Sequence, residues 1–90
     1  MTPGPTIPAS ELLGDLLLAQ GRPRDALAAY HRSLKLYPRR FNSLLGAARA
    51  ARGAADSAEA YARYQELLQS AGTGSRRAVL EEARSFPAPR

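Results

Sequence analysis

From Glu11 to Pro38 apolar residues recur at helical spacing, pause at Gly21-Arg22-Pro23, and resume at the same spacing. The pattern predicts two amphipathic helices joined by a tight turn. The first spans about 9–20, with Glu11 in its opening turn, where a carboxylate complements the helix dipole. Its apolar face is Leu12, Leu13, Leu16, Leu17 and Ala19. Gly21 ends it, and Pro23 opens the second helix at a first-turn position that needs no amide donor. That helix, about 23–36, turns Ala26, Leu27, Tyr30, Leu34 and Tyr37 inward and leaves Arg24, Arg32 and Lys35 in water. Pro38 cannot continue it and disfavours helical geometry at Tyr37.

The pattern continues through three more segments. A third helix is predicted from about Arg40 to Arg52, with Phe41, Leu44, Leu45, Ala47, Ala48 and Ala51 as its contacts. So many alanines predict close helix approach. Gly53-Ala54-Ala55-Asp56 makes a turn, and Asp56 or Ser57 caps a fourth helix. This one reaches about Gln69 and buries Ala60, Tyr61, Tyr64, Leu67 and Leu68. After a loop over 70–75, Ser75 caps a fifth helix, Arg76 to Ser85, whose apolar side is Val79, Leu80, Ala83 and Phe86. Residues 1–8, with three prolines and a glycine, read as a disordered lead-in, and residues 87–90 as a tail.

A shift of 34 residues superimposes much of the first helical pair on the second. Leu13-Gly14 falls on Ala47-Ala48, Leu17 on Ala51, Ala26 on Ala60, and Tyr30 on Tyr64. The spacing Ala-x-x-x-Tyr survives in both copies. Leu13-Gly14, Ala26, Tyr30 and Pro38 in the first copy, with Ala60 and Tyr64 in the second, resemble the signature of the tetratricopeptide repeat (TPR) family. Ser10 and Leu44 stand where the leading aromatic of that signature is expected, Leu17 and Ala51 replace the second one, and Gly72 stands at the second closing proline. The resemblance covers about residues 9–72, as repeats at 9–38 and 39–72, and leaves 75–86 as a capping helix with a more polar outer face. It implies an all-α fold of stacked antiparallel helical hairpins, about five helices in all. It also implies that Gly14 lets a partner helix come close.

Two repeats and a cap are few, because such stacks normally need about three units for stability. The chain reads first as a piece of a longer array, then as a self-sufficient minimal domain, and last as a protomer that dimerises. Ninety residues bound it to one small domain. It has no cysteine, hence no disulfide framework and no thiolate chemistry, and its composition fits a reducing cytoplasm. No run approaches the ~18 apolar residues of a membrane span, and the N-terminus lacks the basic start and apolar core of a signal peptide.

Of the 13 basic residues 12 are arginine, and the formal net charge is +5. Such an excess reflects either composition bias or attraction toward acidic partners. Arg22/Arg24, Arg39/Arg40 and Arg76/Arg77 could grip phosphate, and Phe41 could stack on a base. The pairs lie on different connections, and Phe41 reads first as core. Sequence-specific nucleic-acid recognition is therefore not expected; non-specific association is the alternative reading. Catalysis is not expected either. The single His31 reads as a surface residue, the eight carboxylates are dispersed, and Gly72-Thr73-Gly74 lacks the lysine of a phosphate loop. No cofactor or metal is implied.

In the TPR family the first helix of each repeat lines a concave surface that takes partner peptides. The resemblance therefore implies a groove lined by Glu11, Asp15, Leu18 and Ala19 from the first repeat and Asn42, Leu45, Arg49 and Arg52 from the second. Glu11 and Asp15 occupy two positions where chaperone-binding members hold a terminal carboxylate with Lys and Asn, which speaks against that clamp. The function implied is a protein-interaction module or scaffold, cytoplasmic, with a protein or peptide partner and possible self-association.

Overall fold

A computed structural model describes residues 9–38, 40–70 and 77–88, with the side chain of Ser70 excepted. Five helices follow in order: α1 Ala9–Ala19, α2 Pro23–Leu36, α3 Phe41–Gly53, α4 Ser57–Ser70 and α5 Arg77–Ser85. Among the described residues there is no strand, and no helix is long and apolar enough to cross a membrane. Each helix packs on the next, and α3 also touches α1, so the α1–α2 hairpin stacks on the α3–α4 hairpin. The lead-in at 1–8, the 71–75 loop with Ser75, and Arg39 and Arg76 lie outside the described residues.

Both hairpins turn in the same way, and the backbone shows why. After α1, the Gly21 N–H donates to Leu18 O (3.1 Å) and the Arg22 N–H to Leu17 O (2.9 Å). After α3, the Ala55 N–H donates to Arg52 O (3.1 Å) and the Asp56 N–H to Ala51 O (2.8 Å). Each is a Schellman ending, which needs one residue in the left-handed region. Gly21 supplies it at φ 77° and Ala55 at φ 63°, which are 34 positions apart. The repeat read in the side chains thus exists in the main chain too. Asp56 caps α4, accepting from the Glu59 N–H at 3.1 Å.

Tyr30 and Tyr64 are both buried, each one helical turn beyond a fully buried alanine, Ala26 and Ala60. Leu34, Leu44, Ala47, Ala48, Ala50, Leu67 and Ala83 complete the core, with Leu17, Leu18, Leu27, Phe41, Leu45, Leu68, Val79 and Phe86 packed against it. The Tyr30 ring lies against both Gly14 and Gly46: a Cβ on either would stand 2.8 or 2.3 Å from it. In α3 the close approach therefore falls at Gly46, two residues before the Ala48 that the 34-residue shift selects.

Two sequence expectations are corrected. Of the apolar face assigned to α1, Leu17 packs on the core while Leu12, Leu13, Leu16 and Ala19 are exposed. The helix has neighbours on one side only, and it meets them through Glu11, Gly14, Leu17 and Leu18. Tyr37 is exposed as well. It lies past the end of α2 at φ −135°, ψ 77°, so helical periodicity no longer directs its ring inward.

Candidate functional site

Asp15, Leu18 and Ala19 on α1 face Asn42, Leu45, Gly46 and Arg49 on α3 across a concavity of about 460 Å³, with Tyr30 as its floor. The floor exists because two glycines leave room for the ring. Its hydroxyl donates to Asp15 Oδ1 at 2.5 Å, and burial together with that carboxylate holds the Tyr30 phenol far above its usual range.

The α3 wall is set by a charge cluster reaching to α5. Arg49 donates from Nε (3.0 Å) and an Nη (2.7 Å) to the two oxygens of Glu82, a fork geometry that fixes the guanidinium plane. The Tyr64 hydroxyl donates to the same carboxylate. Arg52 donates to the Tyr64 oxygen at 3.1 Å, lies 3.7 Å from Glu82 and sits 5.9 Å from the centre of the Phe86 ring. The hydrogen bonds from Arg49 hold the Glu82 carboxyl below its ordinary value despite partial burial. Two guanidinium groups on one carboxylate leave the cluster net positive; of its members Arg49 lines the concavity, opposite Asp15.

Of the eight groove candidates, Asp15, Leu18, Ala19, Asn42, Leu45 and Arg49 line one concavity. Glu11 and Arg52 stand elsewhere. Arg52 belongs to the Tyr64–Glu82–Phe86 cluster. Glu11 is 1% exposed and inward-facing, accepting from Arg40 Nε at 2.7 Å and from Ser43 Oγ at 2.6 Å. Ser43 in turn lies 2.7 Å from Ser33 Oγ. This buried chain of polar groups ties α1 to the start of α3 and to α2. Assigning Glu11 to a groove is thus corrected: it is a structural tie.

Sequence reasoning passed over Glu82 and the serine pair. A signal was present for both acids. Glu82 falls between Val79 and Phe86 at steps of three and four, and Glu11 precedes Gly14 and Leu18 at the same steps, so each acid lies on its helix's inner face.

Of the expected basic pairs, one member of each of the first two is engaged, while Arg24 and Arg77 are exposed and Arg39 and Arg76 lie outside the described residues. Arg22 pairs with Asp25, Arg40 with Glu11, and Arg63 with Glu59 and Glu66. Phe41 packs on the core. His31 is a surface residue whose Nε2 lies 2.9 Å from Glu59, linking α2 to α4. A second concavity of about 610 Å³ beside it is lined by His31, Leu34, Lys35, Pro38, Arg63, Glu66 and Gln69.

No protein family, curated protein or solved structure matches the chain.

Proposed function

We propose that this chain is a TPR-like protein-interaction module that docks an extended or helical peptide between α1 and α3. The observation that carries the reading is the shared concavity of Asp15, Leu18, Asn42, Leu45 and Arg49, with a carboxylate on its α1 wall and a guanidinium on its α3 wall. Leu18 and Leu45 offer contact for one apolar side chain. Asp15 favours a basic neighbour in the ligand, and the Arg49–Glu82–Arg52 cluster an acidic one. The repeated turn at Gly21 and Ala55 and the paired Ala-x-x-x-Tyr motifs support the kinship with TPR repeats. In this reading the module carries out no reaction, takes no cofactor, and works in the cytoplasm.

Selection of binders from a random peptide library tests it. Selected peptides should lose affinity at least tenfold for Leu45→Asp and for Asp15→Lys. Binders indifferent to both changes would move the site elsewhere. Random oligonucleotide is the counter-probe. Tight binding that collapses steeply with salt would favour a nucleic-acid role instead. The ion pairs on Arg22, Arg40, Arg49, Arg52 and Arg63 weigh against that outcome, because each guanidinium already has a carboxylate partner.

A further inference from the structure

The two ends of the helical stack are built differently. On α5 the solvent face carries Arg77, Glu81 and Arg84, recurring at steps of four and three, with Leu80 and Ala83 buried on the other side. That is the charged outer surface a terminal element needs in order to end a stack. On α1 the face turned away from the rest of the fold is Ala9, Leu12, Leu13, Leu16, Ala19 and Gln20, all uncharged; the exposed Asp15 stands at its edge, toward α3. Leu12 is 58% exposed and Leu16 55%. They stand one turn apart, so their side chains form a ridge along the helix. Glu11, Gly14 and Leu18, which meet the rest of the fold, lie on the opposite side of α1.

We propose that this face of α1 is a homodimer interface, covered by the α1 of a second copy of the chain. The charge pattern selects the occupant. Head-to-tail stacking would set these leucines against Arg77, Glu81 and Arg84, burying charges without partners, and would extend without limit. Pairing α1 with α1 across a twofold axis sets uncharged surface on uncharged surface and closes at two copies. The Leu12–Leu16 ridge of each copy can then enter the groove beside the other's. The patch is one helix face, below the ~800 Å² per partner of a standard interface, so the dimer should be weak and concentration-dependent. The groove residues Asp15 and Leu18 lie outside this face and Ala19 at the border of the two surfaces, and the proposal does not depend on any peptide binding.

Sedimentation equilibrium on the full chain, run from about 10 μM to about 1 mM to bracket weak dissociation constants, tests it. The apparent mass should climb from 9.7 kDa and level off at twice that value. Leu12→Glu/Leu16→Glu should remain monomeric throughout with unchanged helical circular dichroism, since both positions are solvent-exposed. A wild-type chain monomeric at the highest concentration would overturn the proposal. So would association that survives the double substitution, or mass that grows past two copies without a plateau.

Discussion

Tyr30 and Gly46 meet across the α2–α3 interface so closely that a Cβ on the glycine would stand 2.3 Å from the ring. Gly14 closes on the same ring from α1, with a corresponding distance of 2.8 Å. Tyr30 is therefore held on two sides and cannot yield to either. Alanine at position 46 gains about 1 kcal/mol of helix propensity and must then force apart a packed interface, at a cost that overpacking studies place at about 1–3 kcal/mol or more. Because this clash is severe, the cost falls at the upper end of that range, and we expect Gly46→Ala to destabilise by about 1–2 kcal/mol net, and more than Gly14→Ala. Urea unfolding midpoints at constant slope would show it; a neutral Gly46→Ala would mean that the ring has room to move.

Ala55 occupies a left-handed turn that Gly21 fills without strain in the first hairpin. An L-residue there costs roughly 1–2 kcal/mol, against roughly 0.5–1 kcal/mol of additional chain entropy that glycine loses on folding. Ala55→Gly should accordingly stabilise the fold by about 0.5–1 kcal/mol. Gly21→Ala should do the reverse. Thermal unfolding of the two variants checks both signs at once.

Glu11 is buried against Arg40 and Ser43. Its removal takes the acceptor from the buried Ser43 hydroxyl, which keeps its contact with Ser33, while Arg40, 32% exposed, can turn to water. The loss for Glu11→Ala should thus fall short of the ~3–5 kcal/mol typical of breaking a fully buried pair, at about 2–3 kcal/mol. Ser43→Ala should cost about 1 kcal/mol. Equal effects in chemical denaturation would show that the charge contributes nothing beyond the hydroxyl.

Stability should decline at both extremes of pH, for separate reasons. Glu82 is held down by hydrogen bonds from Arg49. Glu59 is held down by His31 and Arg63 against the upward pull of burial. Carboxyls with lowered values in the folded state stabilise it above their unfolded value, near 4.5. That contribution disappears as pH falls through the folded values. Both sites are partly solvated, so the effect should be modest. A melting-temperature profile should drop below about pH 4.5, and more shallowly in Glu82→Gln. At the alkaline end, burial followed by the neighbouring carboxylates raises Tyr30 and Tyr64 above the ordinary 10.0. The unfolded chain sheds those protons first, so stability should fall as pH climbs from about 10. Phenolate absorbance that appears together with loss of helix would verify it; ionisation ahead of unfolding would not.

Local chemistry made much of this fold readable. Helical periodicity, Gly21 with Pro23, and Asp56 before Ser57 each act within one or two turns of chain. Five helices and the two hairpin turns follow from them, as do the buried Ala26–Tyr30 and Ala60–Tyr64 pairs. Periodicity says which residues share a face, and neighbours decide whether that face is covered. On α1 the leucines that looked like core stand in water, while Glu11 and Gly14 meet the rest of the fold. The same dependence on neighbours put the close approach in α3 at Gly46 and drew Glu82 from the cap onto Arg49 and Tyr64. Helix identity rests on interactions a few residues apart, whereas burial and charge pairing depend on distant segments meeting, and only the folded chain brings those together.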